Sequence, residues 1–319
     1  ANATYMITGG LGSLGLTLAR WLIQQGAQHL VLLGRRPPSA EATTVIEQLQ
    51  QLGATVMTLQ ADITVADDLR SALAQIAALL PPLRGVIHAA GAVDYKPLSA
   101  SSCQDMERIL APKVAGGWLL HQLTETLSLD CFLLVSSIAS VWGGKGQGAY
   151  AAGNQFLDAL AHYRQQQGLP ALSVNWGPWA GGGMAVPDFV DWMAKLGIQP
   201  LQPEAATAVL ERLMIAGWTQ STVLDVDWVR FRSLFELRQA RPLFAQLQGA
   251  PGGVASQAVD LGRPRLVDVL KDTPEAQRLE VLTSHLQQEL ASVLGLAGQL
   301  PARHQGFFEM GMDSLMAVD

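Results

Sequence analysis

Cysteine is scarce: the 319 residues hold only Cys103 and Cys131. The two have no paired spacing and no CxxC, so the chain reads as one with free thiols in a reducing, cytoplasmic setting. No metal-ligand pattern is read. Charge is also thin, at 15% of residues with a net charge of −6 and no long blocks. The lack of a basic stripe speaks against a nucleic-acid partner. It does not exclude a nucleotide cofactor, whose phosphate needs only one or two local arginines. No apolar run reaches the roughly 18 residues of a membrane span, and no secretory leader is read.

Apolar residues, by contrast, make up 49% of the chain. The length suits one large domain plus a small one. Both ends read as cut from a longer polypeptide. The stretch from Cys131 to Asn154 organises the reading. Cys131–Val135 is a short apolar run, expected as an interior strand that ends at Ser136 and Ser137. A glycine-rich turn with Trp142 and Gln147 follows. In the next helix Tyr150 and Asn154 stand one turn apart, on one face. A hydroxyl at a strand end facing a tyrosine can polarise a carbonyl.

Upstream, a strand at Tyr5–Thr8 runs into Gly9-Gly10-Leu11-Gly12-Ser13-Leu14-Gly15 and then a helix to Gln25. Gly10-x-Gly12-x-x-Gly15 is the dinucleotide fingerprint, weak alone but placed here between a strand and a helix. The second strand, His29–Leu33, ends in Gly34-Arg35-Arg36. An arginine here suits the 2′-phosphate of NADP, where an acidic residue would suit NAD; the bland alternative is a solvated basic pair. After a helix over 40–52 and a third strand at Thr55–Gln60 comes Ala61-Asp62-Ile63. Asp62 either accepts from an adenine amino group or caps the turn into the next helix. The fourth strand, Gly85–His88, enters Ala89-Ala90-Gly91, small enough for close packing of a cofactor ribose. His88 reads as a core histidine rather than a catalyst. A long helix within Ser101–Leu127 is broken near Pro112. Lys113 is either a solvated helix residue or, given Val114–Trp118, a lysine against a packed wall.

A sixth strand is expected over Ala171–Asn175, then a long connection through Pro178 to Met184 and a lid helix at Asp188–Leu196. Such lids exclude water and position substrate. A helix at Glu204–Ala216 and a strand at Ser221–Val226 complete the alternation, and Phe231–Phe244 reads as terminal packing. The fold class is therefore α/β, a doubly wound parallel-sheet Rossmann fold. Residues 247–273 read as a linker, and a helical pattern resumes near Pro274.

These motifs, in order, resemble a family. TGGLGSLG, LGRR, ADI, HAAG, PKVAGGW, SSIASVWGGKGQGAYAAGN and NWGPWAGGGMA are similar to the ketoreductase domain of modular type I polyketide synthases, within the short-chain dehydrogenase/reductase superfamily. Free-standing members usually carry Tyr-x-x-x-Lys. Here Asn154 takes the lysine's place and Lys113 stands upstream, an arrangement the synthase ketoreductases share. The resemblance implies residues 1–246 as the catalytic domain, with Lys113, Ser137, Tyr150 and Asn154 as the catalytic set. It implies NADPH bound by Gly9, Gly10, Gly12, Ser13, Leu14, Gly15, Arg35, Arg36, Asp62, Ile63, Ala89, Ala90, Gly91 and Pro178. Tyr150 would supply the proton and Ser137 a hydrogen bond to a carbonyl gaining hydride, with Lys113 expected to lower the phenol's pKa. Tyr95, Trp142, Gln147 and Met184 would orient substrate. Tyr95 occupies the position whose Asp marks one facial class, Trp142 marks the other, and Gln147 replaces a subclass-marking His. That implies an A-type enzyme giving the L-β-hydroxy product without α-epimerisation.

The tail, residues 274–319, resembles the N-terminal part of an acyl carrier protein, a helical fragment of its bundle. Gly311-Met312-Asp313-Ser314-Leu315 matches the phosphopantetheine attachment motif, with Ser314 as acceptor. The implied partners are a β-ketoacyl thioester bound to a carrier and other domains of the same synthase. A stand-alone reductase of small ketones and a silent Rossmann scaffold are the alternatives.

Overall fold

The computed structural model describes residues 2–144, 146–181, 187–236, 242–245, 247, 266–293 and 300–302. Elements alternate through the first of two units, Ala1–Val226. They run β1 (Thr4–Thr8), α1 (Ser13–Gln24), β2 (His29–Gly34), α2 (Ala40–Gln51), β3 (Thr55–Gln60), α3 (Ala66–Leu79) and β4 (Leu83–His88). Then come α4 (Cys103–Leu110), α5 (Ala115–Thr124), β5 (Cys131–Ser137), α6 (Ala139–Trp142), α7 (Gly148–Gln166) and β6 (Leu172–Trp176). The unit closes with α8 (Pro187–Lys195), β7 (Ile198–Gln199), α9 (Pro203–Ala216), β8 (Gln220–Val223) and β9 (Asp225–Val226).

Seven strands form one parallel sheet in the order β3-β2-β1-β4-β5-β6-β8. The order reverses direction between β1 and β4, so a crevice opens outside the carboxyl ends of those strands. Successive strand residues point to opposite faces, and both faces are covered. Ile7, Leu30, Leu32, Ile87, Leu133 and Val135 pack on one side with Leu18, Leu22 and Leu210. Met6, Val31, Leu33, Val86, Phe132 and Leu134 pack on the other with Leu69, Leu120 and Leu157. That double burial is why the strands read as unbroken apolar runs.

Two local departures from the sequence reading have physical causes. The turn after β5 is not wholly irregular: α6 occupies it, ended by Gly143 at φ +81°. The expected strand Ser221–Val226 breaks at Leu224. Its first part joins the main sheet, while Asp225 and Val226 pair antiparallel with β7. Leu224 leans on Gly177, where a Cβ would lie 3.0 Å from its own Cβ, and the chain turns there. The break expected near Pro112 within Ser101–Leu127 is present and separates two helices. Ser102 and Asp105 form a capping box at the start of α4, and the chain resets around Pro112 before α5.

The second unit is Asp227–Asp319. It begins with α10 (Trp228–Phe235), capped by Asp227, whose Oδ1 accepts from the Val229 and Arg230 amides. Trp228, Phe231, Phe235 and Phe244 stack among themselves at centroid separations of 5.0–6.0 Å. The aromatic segment falls within this second unit, and the sequence reading carried the catalytic domain to residue 246. Helices α11 (Leu266–Asp272) and α12 (Glu275–Val293) follow. Helix α11 takes up the end of the stretch read as linker. Met184 and Ser314 lie outside the described residues. No helix among the described residues is long and apolar enough to cross a membrane.

Candidate active site

The crevice at the sheet's carboxyl edge is floored by the glycine loop between β1 and α1. Gly9 has φ +67°, and a Cβ there would lie 2.8 Å from the Ala90 nitrogen. A Cβ on Gly10 would come within 2.7 Å of the Ile7 carbonyl oxygen, and one on Gly15 would strike Gly9 and Gly10. These three are glycine because the fold packs on them. Gly12 differs. Its φ is −87°, and its nearest neighbour to an added Cβ is the Gly9 oxygen at 3.5 Å. Nothing in the chain needs that Cβ removed; a ligand approaching the backbone would. Gly12 is the N-cap of α1, and no side chain caps that end, so the amides of Ser13 and Leu14 begin a helix whose dipole favours an anion. The residues present fit a dinucleotide pyrophosphate.

Gly34 at the end of β2 packs on Leu11, 3.0 Å from where its Cβ would be, which brings Arg35 and Arg36 beside the loop. Both arginines are exposed, and neither is ion-paired among the described residues. Asp62 performs the turn role: its Oδ1 accepts from the Thr64 amide at 2.9 Å and the Thr64 hydroxyl at 2.7 Å. Ile63 is buried against Gly116, leaving its backbone for any ligand. The Ala89 amide donates to Thr8, and the Pro178 carbonyl accepts from Leu201. Ala90 and Gly91 follow Ala89 in the loop after β4.

The four expected catalytic residues converge at the ends of β5 and α7. Ser137 closes β5, its Oγ accepting from the Ala139 amide at 3.2 Å. Tyr150 and Asn154 lie in α7, with the Asn154 amide donating to the Tyr150 carbonyl at 2.7 Å. Lys113 is buried; its Nζ donates to the Val135 carbonyl at 3.0 Å and sits 5.9 Å from the Tyr150 ring centroid. The Lys113 stem packs over Gly153, 3.5 Å from where a Cβ would be, an ordinary contact distance. The expected lowering of the Tyr150 pKa is corrected. Burial pushes the phenol above its ordinary value, while hydrogen bonds from Ser137 and Asn154 pull it partly back. The phenol is thus held in its protonated form. Burial lowers Lys113 to about 8, against an opposing pull from Asp158. His88 is a buried neutral core residue, as read: its Nδ1 meets the Thr8 hydroxyl at 2.7 Å. Burial, reinforced by Lys113, drives its pKa down to about 3.

A wall beside Tyr150 holds the residues expected to orient substrate. Gln147 is buried and hydrogen-bonds Tyr95. Burial and the neighbouring Tyr150 raise the Tyr95 phenol's pKa. The loop bearing Tyr95 is pinned to α4 by Arg108–Asp94 at 2.6 Å and Lys96–Asp105 at 2.7 Å. Phe189 of α8 packs on Tyr95 at 5.0 Å, so the expected lid helix does reach this wall. Trp142 ends α6 and is half-buried.

The family model described as the KR domain matches residues 3–181, and the one described as the phosphopantetheine attachment site matches residues 284–319. This chain belongs to the KR domain family. As a ketoreductase domain it is an oxidoreductase. It is 36% identical to the pikromycin polyketide synthase component PikAIII of Streptomyces venezuelae, over 99% of this chain. It spans only 21% of that relative's length. Among solved structures it resembles PlmKR1, the ketoreductase from the first module of phoslactomycin biosynthesis in Streptomyces sp. HK803. The identity is 38%, the TM-score 0.72, and the match covers 75% of this chain and 56% of that one. A structure described as an A1-type ketoreductase matches at 34% identity and TM-score 0.73, over 77% of this chain and 52% of that one.

Behind its site the ketoreductase holds a polar cluster that sequence reasoning missed. Asp158, Asn175, Ser173 and Ser136 are all buried. A signal was present: Asp158 continues the Tyr150–Asn154 face of α7 by one more turn, an acid on an otherwise buried stripe. Ser173 and Asn175 alternate with the apolar residues of the buried strand β6 in the same way. Their partners come from other elements, which the sequence order does not show.

Proposed function

We propose that this ketoreductase domain reduces the β-keto group of a carrier-bound acyl thioester to a β-hydroxy group, with NADPH as reductant. The reading is carried by one juxtaposition: the Ser137–Tyr150–Asn154–Lys113 cluster lies on the same sheet edge as the open, uncapped glycine loop. A reduced nicotinamide bound in that crevice would supply the hydride. Ser137 and Tyr150 both present hydroxyls to the substrate oxygen as it gains charge. The phenol, kept protonated by burial, gives up its proton to that oxygen. The Lys113 ammonium stabilises the resulting phenolate, and Asn154 holds the route by which the proton is replaced. Gly9, Gly10, Gly12, Ser13, Leu14 and Gly15 would hold the pyrophosphate, with Asp62, Ile63, Ala89, Ala90, Gly91 and Pro178 along the rest of the cofactor.

Arg35 and Arg36 would meet the 2′-phosphate. A charge-assisted contact is worth about 1.5–3 kcal/mol, so Arg35→Ala should raise the KM for NADPH about 10- to 100-fold. The KM for NADH should barely change. Steady-state kinetics with both cofactors checks this, and an equal loss on both removes the 2′-phosphate role.

The stereochemical reading is A-type, with Trp142 and the Tyr95–Gln147 pair setting how the acyl chain enters. The expected product of a racemic 2-methyl-3-ketoacyl N-acetylcysteamine thioester is the L-hydroxy compound without α-epimerisation. Chiral chromatography reads it, and a D-hydroxy product would overturn the assignment. Ser314, within the matched attachment region, is the proposed site of the 4′-phosphopantetheine arm.

A further inference from the structure

We infer that Asp94 and Arg108 are positioning residues for Tyr95: their ion pair ties the Tyr95 backbone to α4 and so sets where the Tyr95 ring stands against the incoming acyl chain. The role rests on the β-keto reductase reading and on Tyr95 as a substrate-orienting residue.

Tyr95 lies in the loop between β4 and α4, and both of its chain neighbours reach α4. Arg108 Nη2 donates to Asp94 Oδ2 at 2.6 Å, and Asp94 Oδ1 accepts from the Tyr95 amide at 2.8 Å. One carboxylate thus holds the guanidinium with one oxygen and the Tyr95 backbone with the other. On the far side of Tyr95, Lys96 Nζ donates to Asp105 Oδ2 at 2.7 Å. That oxygen also accepts from the Ser102 amide at 3.0 Å and the Ser102 hydroxyl at 2.8 Å, so the capping box fixes the Lys96 anchor. Asp105 and Arg108 stand three residues apart, on one face of α4. The helix therefore grips the chain on both sides of Tyr95. Leu110, at the end of α4, lies 3.6 Å from where a Cβ on Gly153 of α7 would be, which ties the grip to the catalytic helix.

Tyr95 itself is seated from the opposite side. Gly146 has φ +69°, and a Cβ there would lie 2.8 Å from the Tyr95 carbonyl carbon and 3.1 Å from the Lys96 nitrogen. A Cβ on Gly148 would come within 2.8 Å of the Leu98 side chain. The loop thus rests directly on the turn that leads into Tyr150, with no side chain between them. The Tyr95 ring meets Phe189 of α8 at 5.0 Å, and its hydroxyl bonds the buried Gln147. Tyr95 remains 36% exposed, and that open part is the surface left for the acyl chain. Asp94 and Arg108 are themselves partly exposed. Such a pair adds little to global stability, so its effect is on where Tyr95 stands rather than on whether the domain folds.

Arg108→Ala should raise the KM for a 2-methyl-3-ketoacyl N-acetylcysteamine thioester about 2- to 5-fold, the weight of an exposed ion pair. The diastereomer ratio of the product should fall by a similar factor. The NADPH dissociation constant and the thermal midpoint should stay at parent values. Arg108→Lys, which keeps the charge, should remain close to the parent. Asp94→Asn combined with Arg108→Ala should cost no more than the larger single change, as expected of two members of one pair. In a Tyr95→Ala background, Arg108→Ala should have no further effect on KM or product ratio. An Arg108→Ala protein with the parent's KM and product ratio overturns the inference. An equal further loss when Tyr95 is already Ala also overturns it, because the pair then acts elsewhere. So does a proportional loss of NADPH affinity, which would make the pair a general brace. A parent protein that reduces no β-ketothioester sinks the functional reading and the role together. A parent that reduces it while Arg108→Ala changes nothing removes only the role of the pair.

Discussion

Tyr150→Phe lowers kcat for a β-ketothioester by about 10²- to 10⁴-fold, the usual weight of a positioned proton donor. The change removes one oxygen and nothing else. The ring keeps its place beside Lys113 and on α7, and the Asn154 side-chain amide keeps its bond to the Tyr150 backbone carbonyl. The lost hydrogen bonds to Ser137 and Asn154 cost about 1–2 kcal/mol of stability. Cofactor affinity should therefore hold while turnover collapses. Single-turnover kinetics together with NADPH fluorescence titration separates the two. A parent-like rate in this variant would move the proton donor to another group. Because the phenol must be protonated before transfer, activity should also fall as pH rises. The first group to respond is Lys113, which loses its charge as pH passes about 8.

The sequence carried most of this architecture because its strongest signals are local. Cys131–Ser137 is a continuous apolar run since both faces of β5 are covered. Gly143, Gly168 and Gly217 sit at positive φ where helices end. The spacing of Tyr150 and Asn154 places them together before any tertiary contact is known. What escaped is what burial alone determines. A lysine near a tyrosine was expected to lower the phenol's pKa. With Tyr150 drawn out of water, desolvation dominates and the direction reverses. Asp158 escaped for a related reason. A lone acid on a helix usually faces solvent, and only β6 and α6, distant in sequence or hidden in a turn, supply the donors that let it stay inside. The split of Ser221–Val226 likewise depends on Gly177, a residue on the far side of α9 in the chain.

The glycine loop yields the sharper test of whether the crevice is a cofactor site, because two of its glycines should fail in opposite ways. Gly9→Ala forces a side chain into the left-handed region at φ +67°, with its Cβ 2.8–2.9 Å from the Ala89–Ala90 backbone. Strain and overpacking together cost about 2–4 kcal/mol, and the loss appears in the thermal midpoint. Gly12→Val meets no such obstacle. Its φ is ordinary, and the nearest atom to its Cβ is 3.5 Å away. The folded protein should keep its stability to within about 1 kcal/mol. Yet the isopropyl group fills the space in front of the α1 amides, where a pyrophosphate must approach the backbone. NADPH binding should weaken by about 100-fold, the roughly 3 kcal/mol upper cost of overpacking. Thermal unfolding and cofactor titration, run on both variants, give four numbers with a predicted crossing pattern. A Gly12→Val protein that bound NADPH normally would mean that the phosphates lie elsewhere and that the fingerprint serves only to pack α1 against β1.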